Sequence, residues 1–407
     1  MNPLYLSGFG ISLSVDKARL QVRNGFQEPD VQPERFEIQP RHAKFDFVIV
    51  DGQSGTMTLD ALKWLMRHDI PLFILDYNGA LLSSTLPREP VNGSLKIAQV
   101  ETYKDQSKRF YIAKKLVEAK AERTLDVMKW LAARYGELSS QGQHGLTNEL
   151  ERLHQSRDLP RLLMSEGRIA DIYWRYLKQV LPDKFGFTSR MHETHQMNAS
   201  DSVNTLLNYG YAILESQCRK ALNSVGLEPT VGFLHEARQT KYPLVYDLQE
   251  PYRWLIDTTV ISCLENGQFG KKDFYRMDNY VLRLRPEAAR KLIDVLRIRF
   301  NSTARYNGRF YSWDTQIRLK AQELAHYVLG KRADLDFGEP KPVLHRTDSE
   351  AIRSEILSMT AIEARKLGIR KNTLWHLHRR ARSSAPLRIY GKTRAKLNSY
   401  VISKGRA

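Results

Sequence analysis

Along the first 86 positions apolar residues recur in short runs, at 4–6, 11–15, 18–22, 36–38 and 45–50, each bounded by Gly, Pro, Asn or Asp. These are strand lengths with strand punctuation. One stretch breaks the pattern: in TLDALKWLMRHD, Leu62, Leu65 and Met66 share a helical face and Thr58 stands as an N-cap before them. Two later apolar runs flank Asn78 and Gly79, a hairpin turn signal. Residues 1–86 therefore read as a small β-rich N-terminal domain, suited to scaffolding or a subunit contact.

After the linker PREPVNGS (87–94) the apolar period changes from strand to helix. Residues 96–135 predict one long amphipathic helix or a helix pair, and 136–145 a polar loop. A short helix capped by Asn148 leads into the helix of Glu166. Residues 184–200, holding His192 and His195, predict a loop. A long helix over 201–226 closes on Gly226, and helical patterns continue over 254–265, 286–300 and 315–329. The stretch 95–333 reads as a mainly α-helical domain, and 334–342 as a second linker.

Residues 343–400 carry a different pattern. Thr360 caps a helix with Glu363 three residues on, Ala364 and Leu367 face inward, Gly368 makes a turn, and a second helix runs from Asn372 to Arg382. That is the signature of a helix-turn-helix. Lys371, Thr373, His376, Arg379 and Arg380 are its groove or phosphate candidates, with Leu374 and Leu377 in its core. An ordinary helical hairpin with a solvated basic face fits the same spacing. The predicted fold class is α+β multidomain.

Composition sharpens this picture. The chain is 42% hydrophobic and 27% charged, without an apolar run near the ~20 residues of a membrane span. Cys218 and Cys263 fall inside helical patterns without metal-ligand spacing and read as reduced core thiols of a cytoplasmic protein. The formal charge of +18 is unevenly placed: residues 341–407 hold 16 Lys and Arg against 4 acids, two thirds of the excess. A polyanion partner, nucleic acid foremost, explains such a segment, and 388–396 reads as a basic tail.

Chemistry concentrates in residues 232–253, GFLHEARQTKYPLVYDLQEPYR. His235, Asp247 and Glu250 lie between apolar runs, where charge is costly to bury without a partner such as a divalent cation. Glu166 sits on the helical stripe of Ala170, Tyr173 and Leu177, a carboxylate on a buried face. Glu166, His235 and Glu250 are the proposed ligand set. The residues leave other readings open: a satisfied histidine, a capping box of Asp247 with Glu250, and a surface Glu166. Arg238, Lys241 and Arg253 are candidates for phosphate positioning or ordinary salt bridges. Arg305 and Arg309, among Tyr306, Phe310, Tyr311 and Trp313, suit backbone contact with base stacking, or a loop packed on its own rings.

The motifs EGxxAxxYW (166–174), GFLHE (232–236) and YDLxEPxR (246–253), behind a β-rich domain, resemble the CRISPR-associated adaptation integrases. The added C-terminal domain resembles their casposase branch. The resemblance implies metal binding by Glu166, His235 and Glu250, with Asp247 beside them. It implies joining of 3′-OH DNA ends to target DNA by transesterification, and double-stranded DNA as partner. A homodimer or dimer of dimers is the implied assembly. Two carboxylates and an imidazole accept Mg²⁺ and favour Mn²⁺. The alternatives are a spacer integrase with a small partner protein, a metal-dependent nuclease using water, and a non-enzymatic helix-turn-helix regulator.

Overall fold

The computed structural model describes the chain except residues 27–31, 53, 77–78, 89, 91, 136–137, 182, 191–198, 237–241, 278–280, 342–343, 345–348, 383–388, 390–392, 394–395, 398–399 and 401–407. Its N-terminal part runs β1 (Pro3–Gly8), β2 (Ile11–Asp16), β3 (Arg19–Arg23), β4 (Arg35–Ile38), β5 (Phe47–Gly52), β6 (Gly55–Met57), α1 (Leu59–Arg67), β7 (Leu72–Leu75) and β8 (Leu81–Thr85). They form two four-stranded sheets, ordered β1-β5-β7-β8 and β4-β3-β2-β6. In the first, β1, β5 and β7 pair in parallel and β8 closes antiparallel on β7.

Alternation along these strands decides what each face meets. Leu6, Val48 and Leu72 point into a core shared with Leu13, Leu20 and α1 residues Ala61, Trp64 and Leu65. Tyr5, Phe47, Ile49 and Phe73 point the other way, into the helical core. The β1-β5-β7-β8 sheet is thus covered on both sides, which explains the unbroken apolar run of β5. Thr58 caps α1 as expected, accepting from Ala61 N. Of the predicted hairpin turn, Asn78 lies outside the described residues.

A polar knot joins sheet to helices. Asp51 of β5 accepts from Tyr5 Oη at 2.6 Å, Tyr209 Oη at 3.1 Å and Arg283 Nη2 at 2.8 Å, all four buried.

The helical body comprises α2 (Gly93–Lys104), α3 (Gln106–Tyr135), α4 (Ser140–Gln155), α5 (Leu159–Val180), α6 (Ser202–Val225), α7 (Pro243–Gln249), α8 (Arg253–Glu265), α9 (Pro286–Asn301) and α10 (Trp313–Val328). Two small hairpins interrupt it: β9 (Phe274–Arg276) with β10 (Leu282–Leu284), and β11 (Thr303–Tyr306) with β12 (Arg309–Ser312). α6 is its axis. It is buried nearly all round because α7, α8, α9 and α10 pack against it. Asp201 caps its start, accepting from Asn204 N, and Gly226 ends it.

Residues 96–135 are the helix pair, one of the two expected forms, separated at Asp105, which accepts from the N–H of Ser107 and Lys108. Several boundaries differ from the sequence reading. α4 begins inside the expected loop because Ser139, not Asn148, provides the cap. The expected loop over 301–313 is the β11–β12 hairpin. The first linker ends early, since Asn92 already caps α2. His192 and His195 lie outside the described residues. Cys218 and Cys263 are free and buried. Among the described residues no helix is long and apolar enough to cross a membrane.

Beyond residue 348 come α11 (Ser349–Ser358), α12 (Ala361–Lys366) and α13 (Lys371–Ala381). They share a separate core of Ile356, Met359, Ala364, Ile369, Leu374 and Leu377. Thr360 and Glu363 form a reciprocal capping box, and Gly368 turns the chain at φ +63°.

Candidate functional site

Asp247 organises the loop that carries His235. It is not an N-cap but a residue inside α7, wholly buried. Its Oδ2 accepts from the backbone N–H of Phe233 and Leu234, and Oδ1 from the N–H of His235 at 3.0 Å. The same Oδ1 lies 2.8 Å from His235 Nδ1. Gly232 permits this approach, since a Cβ there would sit 2.8 Å from Pro243 and 3.0 Å from Asp247 Oδ2. The loop is further tied by Arg109 Nε, which donates to Phe233 O at 3.0 Å. In its neutral form, with Nδ1 donating to Asp247, His235 would present Nε2 as a lone pair, the arrangement metal-binding histidines commonly show. Burial pulls the imidazole pKa down, but the hydrogen bond to Asp247 and the charges of Asp247 and Glu250 outweigh it and raise it.

Glu166 of α5 and Glu250, opening the 3-10 turn Glu250–Tyr252, converge on one cationic group. That group is the Lys120 ammonium of α3, which hydrogen-bonds Glu166 Oε1 and lies 2.5 Å from Glu250 Oε2. Apart from the Lys120 ammonium, no donor reaches this buried Glu250 Oε2 among the described residues. Arg253 Nη1 stands 3.5 Å from Glu250 Oε1. Burial would raise the Glu250 pKa; Lys120 and Arg253 overcome it and hold the carboxyl at about 2. Among the described residues no three His, Cys, Asp or Glu side chains already form a metal cluster. The donor set nonetheless fits a divalent cation: two carboxylates gathered on one positive centre, a buried oxygen that only that centre serves, and an imidazole beside them with the nitrogen not engaged by Asp247.

Glu250, His235 and Arg253 line a cavity of 720 Å³ together with Arg190, Tyr211 and Tyr246. Tyr211 carries a guanidinium on its ring from each side of the chain, Arg253 at 4.2 Å and Arg190 at 5.2 Å from its centroid. Its hydroxyl donates to Asp257 Oδ1 at 2.5 Å, and Tyr173 Oη donates to Oδ2 at 3.1 Å. Asn204 and Asn208 hold Arg190 through their Oδ1 atoms at 2.7 and 2.8 Å. Asn204 thus reaches the site as a support and Tyr211 as a wall.

Other sequence candidates fall elsewhere. Arg238 and Lys241 lie outside the described residues. Arg305 and Arg309 are exposed on the β11–β12 hairpin, where Arg305 pairs with the exposed Phe310, while Trp313 is buried. On α13, Lys371, His376, Arg379 and Arg380 are exposed and Thr373 is half-buried, whereas Leu374 and Leu377 are buried. Sequence reasoning passed over Lys120, Arg190 and Trp375. Trp375 is 57% exposed, with Arg379 at 5.7 Å from its ring. The signal for Lys120 was available: it shares the stripe of Val117, Ala121 and Thr124, a charge on the inward side of α3.

Comparison with known proteins places this architecture. The sequence profile of CRISPR associated protein Cas1 matches residues 4–297. The chain belongs to the Cas1 family. It is 28% identical over 349 residues to a CRISPR-associated endonuclease Cas1 of Archaeoglobus fulgidus, covering 81% of this chain and 97% of that protein. It is 39% identical to a casposase solved bound to integration product, covering 88% of this chain and 99% of that one, with a TM-score of 0.81. A Cas1 protein from Thermotoga maritima shares the fold at 20% identity and a TM-score of 0.67, covering 81% and 98%. The Cas1 profile ends before the α11–α13 segment begins.

Proposed function

We propose that this Cas1-family chain is a casposase-type DNA integrase, joining a 3′-OH DNA end to a target strand under a divalent cation, Mn²⁺ or Mg²⁺. The observation that carries this reading is the meeting of Glu166 and Glu250, 84 positions apart in sequence, on one cationic centre at the edge of a cavity that His235 and two arginines line. Glu166, Glu250 and Nε2 of His235 would hold the cation. When bound, it would act as a Lewis acid on a phosphoryl oxygen and ease formation of the attacking and leaving alkoxides.

The chain's own groups do the rest. Asp247 keeps the proton on His235 Nδ1, so that Nε2 remains basic. Arg253, held on Tyr211, is placed to take a phosphate oxygen, and Arg190 extends the same positive wall. The new bond joins the attacking 3′-oxygen to phosphorus. The bond that breaks releases the target strand's own 3′-oxygen, which takes up a proton. No protein nucleophile is needed, and no covalent intermediate with the chain forms. Water in place of the 3′-OH gives hydrolysis, an endonuclease side activity of the same site.

α12 and α13 are read as a helix-turn-helix that presents Lys371, Thr373, His376, Arg379 and Arg380 to double-stranded DNA. Arg305 and Arg309 add phosphate contacts from the exposed hairpin. Two active sites are required to join two strands, so a homodimer or dimer of dimers is the working unit. The domain division is 1–86, 95–333 and 343–400. The test is strand transfer by purified protein with a labelled DNA end and plasmid target: joined products that need Mn²⁺ or Mg²⁺ and vanish in Glu166→Ala support the reading, and purely hydrolysed ends refute it.

A further inference from the structure

We propose that Lys120 is an exchangeable internal counter-ion: its ammonium holds Glu166 and Glu250 together in the metal-free protein and is displaced when a divalent cation takes their oxygens, so that it sets metal affinity. The inference rests on the reading of those carboxylates as ligands.

Three observations carry it. Lys120 occupies the point on which both carboxylates converge, one from α5 and one from the turn before α8. Without it, the two carboxylates would face each other with only Arg253, 3.5 Å from Glu250 Oε1, beside them. Next, nothing else serves that carboxylate oxygen: among the described residues Glu250 Oε2 has the Lys120 ammonium at 2.5 Å and no other donor, so a cation that replaces Lys120 meets an acceptor no other group occupies. Finally, the charge is unevenly shared: Arg253 stands 3.5 Å from Glu250 Oε1, whereas the one group common to both carboxylates is the Lys120 ammonium, the point a divalent ion would take. The lysine side chain is 21% exposed against 7% for Glu250, so the displaced ammonium has a way to water on a flexible four-carbon stem.

A metal arriving at this site therefore competes with a charge already present. The expected consequence is a binding constant for Mn²⁺ below that of the bare carboxylate pair. It also implies a metal-free protein whose site stays assembled.

The experiment measures free Mn²⁺ by electron paramagnetic resonance during titration of the full chain, as wild type, Lys120→Met and Glu166→Gln. Lys120→Met should bind Mn²⁺ at least about tenfold more tightly, and its metal-free form should melt lower and gain more on adding Mn²⁺. Unchanged or weaker binding, with Glu166→Gln still impaired, overturns the role of Lys120 alone. Binding that Glu166→Gln leaves intact overturns the ligand assignment and this inference together. Should Lys120→Met fail to fold, lysine acetylation of the wild type read by mass spectrometry decides. Labelling at Lys120 should rise several-fold on adding Mn²⁺, and labelling that Mn²⁺ binding leaves unmoved refutes displacement.

Discussion

Asp247 Oδ1 and His235 Nδ1 stand 2.8 Å apart, and the same carboxylate accepts the backbone N–H groups of residues 233, 234 and 235. One buried acid therefore fixes both the path of the loop and the tautomer of its histidine. Asp247→Asn keeps the volume but loses the charge and half the acceptors. Mn²⁺ affinity should fall roughly 10- to 100-fold with the far-ultraviolet circular dichroism unchanged. Asp247→Ala should also destabilise the fold, at about 1–3 kcal/mol per orphaned buried N–H. Full Mn²⁺ affinity in Asp247→Asn would remove Asp247 from the site's support.

Glu166→Gln and Glu250→Gln each remove one negative charge without removing bulk. Strand joining should drop more than about a hundredfold, since the cation's contribution is several kcal/mol. Affinity for DNA, measured by fluorescence anisotropy in the absence of metal, should change less than about threefold. Equal loss of both activities would assign these glutamates a folding role.

The exposed face of α13 combines Trp375 with Arg379 and Arg380. Arg380→Ala should weaken binding to any duplex and lower the slope of log affinity against log salt by about one unit for each phosphate it no longer neutralises. Trp375→Ala should weaken binding with the salt slope retained, because an uncharged side chain releases no counterion. Binding indifferent to both changes would leave α12 and α13 a structural hairpin.

Asp51 offers a test of the seam between sheet and helices. Asp51→Ala leaves the Arg283 guanidinium buried without its carboxylate, so denaturant unfolding should show a loss of roughly 3–5 kcal/mol. A loss under about 1 kcal/mol would mean that water reaches the arginine.

The thiols give a pH signature. Burial pushes Cys263 up to about 12, with Lys291 opposing, and burial likewise raises Cys218. The folded state then holds protons that the unfolded chain, titrating near 9, gives up. Stability should be complete below about pH 9 and decline as pH rises toward 12. At pH 8 neither thiol should react with a disulfide reagent until denaturant is added. Rapid reaction of the native protein would contradict their burial.

How much of this was legible in the sequence depends on the range of the interaction. Caps and periods are local, and Thr58 and Thr360 with Glu363 were readable from neighbours three residues away. So was the reach of α6, whose apolar residues circle the helix. Glu166, His235 and Glu250 stand out as charges on apolar ground, which marks a residue as paired without naming the pair. The partner of Glu166 and Glu250 lies in α3, far away in sequence, and no local pattern joins Lys120 to them. Asp247 has the spacing of a cap but not its role, for the same reason: its partners are the N–H groups of a loop twelve to fourteen residues upstream. The β9–β10 pairing spans residues 278–280, where no strand or turn signature reads clearly.

Tyr209 and Tyr211 are two positions apart on α6, and two positions on a helix point to nearly opposite sides. The first is bolted to Asp51 in the sheet, and the second forms the wall against which Arg253 and Arg190 rest. One helix thus carries, on opposite sides, both the tie to the sheet and the wall of the cavity, so the spacing between the two is set by the rise of a single turn rather than by any loop.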